Sequence, residues 1–173
     1  MTAPAPILVP ALPQQPFDAA SEGVNAWRGR CLDAFARAEA AITECLVFLS
    51  DPAETGKTVR MPHLVGQRME ALSLALAAIG TPGPDVVHAQ AALTALRDHD
   101  GLRTMLCHGV GNITLDRNGR WTVVLRLTAL RARRVVRDML TLTEQEAGHR
   151  RDDLVRASKI LCARLGQVRT RSA

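Results

Sequence analysis

The sequence predicts an all-α domain, a four-helix bundle with a small antiparallel hairpin or three-stranded insertion before the last helix. Three observations carry that expectation. Aromatic residues make up only 3% of 173 residues and Tyr is absent, while apolar residues reach 47%. Such a chain builds its core from Leu, Val, Ala, Ile and Met, which suits helix packing. Long stretches repeat their apolar residues every three or four positions, and one stretch near residue 118 switches to a period of two.

The first helix is expected from about Ala20 to Leu49. Val24, Trp27, Cys31, Phe35, Ala38, Ile42, Cys45 and Leu49 form one stripe, with Ser21 as its cap. Before it, residues 1–19 read as a flexible Pro-rich leader. Asp51-Pro52 closes the helix, because the residue before Pro avoids helical backbone, and a loop through Gly56 and Lys57 follows.

A second helix begins near Pro62, with Val65, Met69, Leu72, Leu76 and Ile79 as its stripe. Gly80 and the turn at 81–84 end it. A third helix runs from about Pro84 to Cys107, with Val87, Ala91, Ala95, Leu102 and Leu106 facing inward and Gly101 permitting a close crossing or a kink. Gly109 stands where a terminating glycine belongs.

The period then becomes two. Ile113 and Leu115 alternate with polar neighbours, Asn118-Gly119 signals a tight hairpin, and Trp121, Val123, Leu125 and Leu127 alternate on its second arm. Residues 134–140 read as a third strand or a short helix. The last helix starts at Thr143, where Thr143 and Glu146 have the spacing of a capping box, and runs to about Val168, leaving 169–173 as a tail.

The net charge is +5 and unevenly placed: 16 basic against 9 acidic residues from Thr81 onward, 6 against 8 before it. A basic second half suits an acidic partner, nucleic acid being the commonest, or simply an Arg-rich solvated face. Arg131, Arg133, Arg134 and Arg137 are the densest cluster, a candidate RNA-backbone contact or a solvated turn. The first Lys or Arg is Arg28 and no apolar run approaches the length of a membrane span, so the expectation is a cytoplasmic protein with no membrane partner. Cys31, Cys45, Cys107 and Cys162 have no metal-ligand spacing and read as free buried thiols.

No phosphate-binding glycine loop, nucleophile elbow, H-E-x-x-H or paired Cys-x-x-Cys is present. The chemistry-bearing segment is Leu102-Arg103-Thr104-Met105-Leu106-Cys107-His108-Gly109. Five residues of helix rotate by about 140°, so Arg103 and His108 border one wide face or an open helix end. His titrates near neutrality and moves protons, while Arg binds phosphate through a planar fork. Together they suffice to cleave a phosphodiester whose nucleophile is the neighbouring 2′-hydroxyl, with no metal or other cofactor required.

Arg103, His108 and Gly109, the R-x-x-x-x-H pattern with a following glycine, resemble the HEPN superfamily. The order of elements resembles it too: two long helices, the motif, a hairpin, a closing helix. So does Phe35-Ala36-Arg37-Ala38-Glu39 in the first helix, with its acidic residue. The resemblance spans about residues 25–168, and only the motif is specific. It implies a metal-independent endoribonuclease of toxin–antitoxin, phage-defence or RNA-processing systems, acting as a homodimer whose two motifs share a cleft. It also implies a possible antitoxin or regulatory protein partner, while other members serve as non-catalytic binding modules. The family often has Asn after the motif Arg, where this chain has Thr104. An acidic partner for Arg103 is expected among Glu39, Asp98 and Asp100, and His99 lies four residues before Arg103 on the same helical face.

Overall fold

The computed structural model describes residues 15–50, 61–79, 83–131 and 133–171. The loop expected at Gly56 and Lys57 lies outside them, as do most of the leader and residues 172–173. Among the described residues there are five helices and three strands: α1 (Pro16–Leu49), α2 (Val65–Ala77), α3 (Pro84–Arg97), α4 (Asp100–His108), β1 (Val110–Leu115), β2 (Trp121–Arg131), β3 (Arg134–Thr143) and α5 (Glu144–Arg171). The all-α four-helix expectation is therefore corrected to a mixed layout, in which helices pack against one face of a three-stranded antiparallel sheet of order β1-β2-β3.

Two features overturn the simpler picture. The first is a break at Asp98 and His99, where one long helix was expected. The apolar stripe of α3 is Val86, Ala89, Leu93 and Leu96, and that of α4 is Leu102, Met105 and Leu106. Extending the first stripe at 3.6 residues per turn leads to positions 100 and 103, not 102 and 106. A continuous helix would turn one stripe out of the core. The chain stops at Arg97, passes His99 with φ −95° and ψ 2°, and restarts in a new phase. Nothing crowds Gly101, so it makes no close helix crossing. Val87, Ala91 and Ala95, expected inside, are exposed; the Ala-rich segment admitted a stripe one position out of step.

The second feature is the size of the sheet. Strands of 6, 11 and 10 residues place Trp121, Val123, Leu125, Leu127 and Leu142 in the core. Residues 134–140, left open between strand and helix, lie within β3, which pairs with β2 in unbroken register from Arg131↔Arg134 to Thr122↔Thr143. The β1–β2 connection is a three-residue loop. The Gly119 N–H donates to the Asp116 carbonyl at 3.1 Å, and Gly119 adopts φ +76°. Asn118 does not share that positive φ, because Asp116 organises the loop by accepting both the Asn118 and Arg120 N–H groups.

The long helices behave as their stripes require. α1 begins one turn earlier than expected, at Pro16, which places Ser21 inside the helix and not at its cap. α2 begins at Val65, after Pro62, and buries Met69, Leu72 and Leu76. α5 extends to Arg171 and buries Leu154, Leu161, Leu165 and Val168. Each buried aliphatic side chain contributes about 1.5–3 kcal/mol. The capping box forms as expected: the Thr143 N–H donates to Glu146 Oε2 at 2.8 Å, and the Glu146 N–H donates to Thr143 Oγ1 at 3.3 Å. Polar pegs fix α1 on α5. Trp27 Nε1 donates to the Ala147 carbonyl at 2.8 Å, and Ser158 Oγ donates to the Ala34 carbonyl at 2.7 Å. The two tryptophans meet with ring centroids 6.3 Å apart, making Trp121 a core anchor.

Candidate functional site

The Arg103–His108 segment occupies α4, and the break before it directs Arg103 toward α1. Its Nε donates to Glu39 Oε1 at 2.8 Å. Of the three acidic candidates, Glu39 takes the arginine. Asp98 is exposed and lines a different cavity, beside Thr104 and β3. Asp100, in the first turn of α4, has its carboxyl pushed up by desolvation, which the nearby cations Arg97, Arg103 and His99 partly offset.

A residue that the sequence did not single out completes the cluster. Arg68 of α2 approaches the other Glu39 oxygen, with Nη2 at 3.9 Å from Oε2, and donates from Nη1 to Thr43 Oγ1 at 2.9 Å. Its Nε is buried without a hydrogen-bond partner. Glu39 thus sits between two arginines from two other helices, all three side chains about a fifth to a quarter exposed. The signal was present in the sequence: Arg68 is the one cation of α2 and directly precedes Met69 of its buried stripe.

His108 is the last residue of α4 and is exposed, and its ring makes no hydrogen bond among the described residues. Gly109 follows in extended backbone. A Cβ there would run into the Met105 carbonyl oxygen, which already accepts the Gly109 N–H at 2.8 Å. The glycine is thus required by the tight passage from α4 into β1. Thr104, in the position the family often gives to Asn, donates its hydroxyl to the Asp100 carbonyl at 3.0 Å. His99 is half-buried at the cap of α4, and its carbonyl accepts the Arg103 N–H at 3.0 Å.

The basic cluster lies elsewhere. Arg133 and Arg134 are exposed at the β2–β3 turn, with Arg133 at φ 65°, and Arg137 is exposed on β3; the Arg131 side chain lies outside the described residues. None of these four contacts Arg103, Glu39 or Arg68 in any hydrogen bond or ion pair described here. The largest groove, about 870 Å³ between α1 and α5, is lined by Arg30, Asp33, Arg151 and Lys159 among others and holds no motif residue.

Burial pushes the Cys31 and Cys45 thiols up to about 11, which makes them poor nucleophiles. Cys107, expected inside, is exposed beside His108, because position 107 falls off the α4 stripe. Among the described residues, no three His, Cys, Asp or Glu side chains gather as a metal cage. No helix of the described chain is long and apolar enough to cross a membrane. Compared with known proteins, the chain matches no family model, no curated protein and no solved structure.

Proposed function

We propose that this chain is a HEPN-like, metal-independent endoribonuclease of a toxin–antitoxin, defence or RNA-processing system, acting in the cytoplasm as a homodimer. The observation that carries the reading is the Arg103–Glu39 pair at 2.8 Å beside an exposed His108 on the same helix. Glu39 engages Arg103 through Nε, which leaves both Nη groups to hold a phosphate oxygen. His108, accessible at the helix end, accepts the proton of a 2′-hydroxyl as its oxygen attacks phosphorus. The bond to the 5′-oxygen breaks, and that oxygen takes a proton from the His108 of a second copy. The products are a 2′,3′-cyclic phosphate and a free 5′-hydroxyl. A regulatory or antitoxin protein would act by covering this end of α4.

One observation favours a second reading, a non-catalytic HEPN-like dimeric module that binds RNA or a protein partner. The Thr104 hydroxyl is committed to its own helix, so the position after the motif Arg offers RNA no free donor. RNA cleavage in chelator separates the two readings. The nuclease reading expects cyclic-phosphate ends from the wild type and none from His108→Ala of equal fold by circular dichroism. Equal RNA or partner binding by both proteins, with no cleavage by either, selects the binding module.

A further inference from the structure

β3 is the outermost strand of the sheet, and its ladder to β2 runs for ten residues without a bulge. It contains no Pro and no Lys, the usual means of blunting an edge. Val135 and Met139 on its outward face are 64% and 68% exposed. Beside the edge lies an open cavity of about 390 Å³, lined by Asp98, Thr104, Asp138, Leu140 and Arg150 among others. Asp98 has no ion-pair partner among the described residues.

We propose that β3 is a self-pairing edge, which joins the β3 of a second copy in antiparallel register centred on Val136 to form one six-stranded sheet. Two-fold symmetry requires that paired residues share a face, so the axis must pass through a residue. Centring on Arg134, Arg137 or Asp138 sets like charges against each other. Centring on Val135 opposes Arg133 and the partner's Arg137, and centring on Met139 or Leu140 forms no ion pair. Centring on Val136 sets Arg134 opposite the partner's Asp138, twice by symmetry. It also places Val135 diagonal to the partner's Val135 and the partner's Met139, within side-chain reach. The same register carries the Arg133–Arg134 tip of each copy to the cavity holding the other's Asp98 and Asp138. Arg103 turns to α1, so this contact stands apart from the proposed nuclease site.

The test is the mass of the full chain by light scattering at about 0.1 mM. The expected results are a wild-type dimer, monomers for Arg134→Asp and Asp138→Arg, and a restored dimer for the double swap. A second arm uses Val136→Cys with Cys107→Ser, where mild oxidation should link two chains through residue 136, since paired Cα atoms about 5 Å apart suit a disulfide. A wild-type monomer without cross-linking at 136 overturns the proposal. So does a dimer indifferent to both single reversals, or a pair of reversals that fails to restore it. An indifferent dimer leaves the shared-cleft nuclease reading standing, so the two failures are distinguishable.

Discussion

Glu39 holds Arg103 at 2.8 Å and faces Arg68 at 3.9 Å, so Glu39→Gln removes the one charge that separates two arginines. The substitution preserves shape and one acceptor oxygen, which confines the loss to electrostatics. A charged, partly screened hydrogen bond contributes about 1.5–3 kcal/mol, and the longer contact adds a smaller amount. The expected destabilisation is about 2 kcal/mol, or roughly a 4–8 °C fall in Tm for a domain of this size. Urea unfolding of Glu39→Gln, Arg103→Met and the double variant isolates the pair, with an expected coupling of about 1–2 kcal/mol. The Arg97–Glu70 pair, 35% and 59% exposed, supplies the comparison and should couple by about 0.5 kcal/mol or less. If the two pairs couple equally, Glu39 does not hold Arg103, and the geometry on which the proposed site rests is lost.

Gly109→Ala forces a methyl against the Met105 carbonyl and should cost about 2–3 kcal/mol, read as a lower urea midpoint; an unchanged midpoint refutes the close passage. The Glu146 carboxyl is held below its ordinary value by hydrogen bonds from Thr143. Its stabilising contribution is therefore present above the unfolded carboxylate value and lost as pH falls through the depressed folded value. Thr143→Val should flatten that acid limb, and an unchanged limb counts against the capping box. A thiol reagent should modify Cys107 in the native protein, while Cys31 and Cys45 react only on unfolding; mass mapping of the labelled sites checks the order.

What the sequence revealed follows from how far each signal reaches. The stripes of α1 and α5 and the Thr143–Glu146 box are local patterns with many repeats, and they appear where the periodicity places them. The α3–α4 break depends on two stripes of different phase meeting the same core, and Ala89, Ala91, Ala92 and Ala95 are too alike to reveal the shift. β3 is Arg-rich and becomes a strand because β2 offers an edge, a long-range cause that no window of residues contains. Glu39 was one of three acidic candidates, separated from Arg103 by 64 positions, and only the packing of α4 on α1 distinguishes it. Arg68 escaped notice for the same reason, since its role exists only between two other helices.

The interruption at Asp98 and His99 works like a coupling between two shafts. α3 and α4 turn through the same angle per residue, yet their relative orientation is set by two residues of non-helical chain. Adding or deleting a single residue there would rotate α4 by about 100° while leaving α3 seated. That one step would swing Arg103 away from Glu39 and bring a different side chain to face α1. Changes of length at this joint therefore re-aim the motif without altering any residue within it.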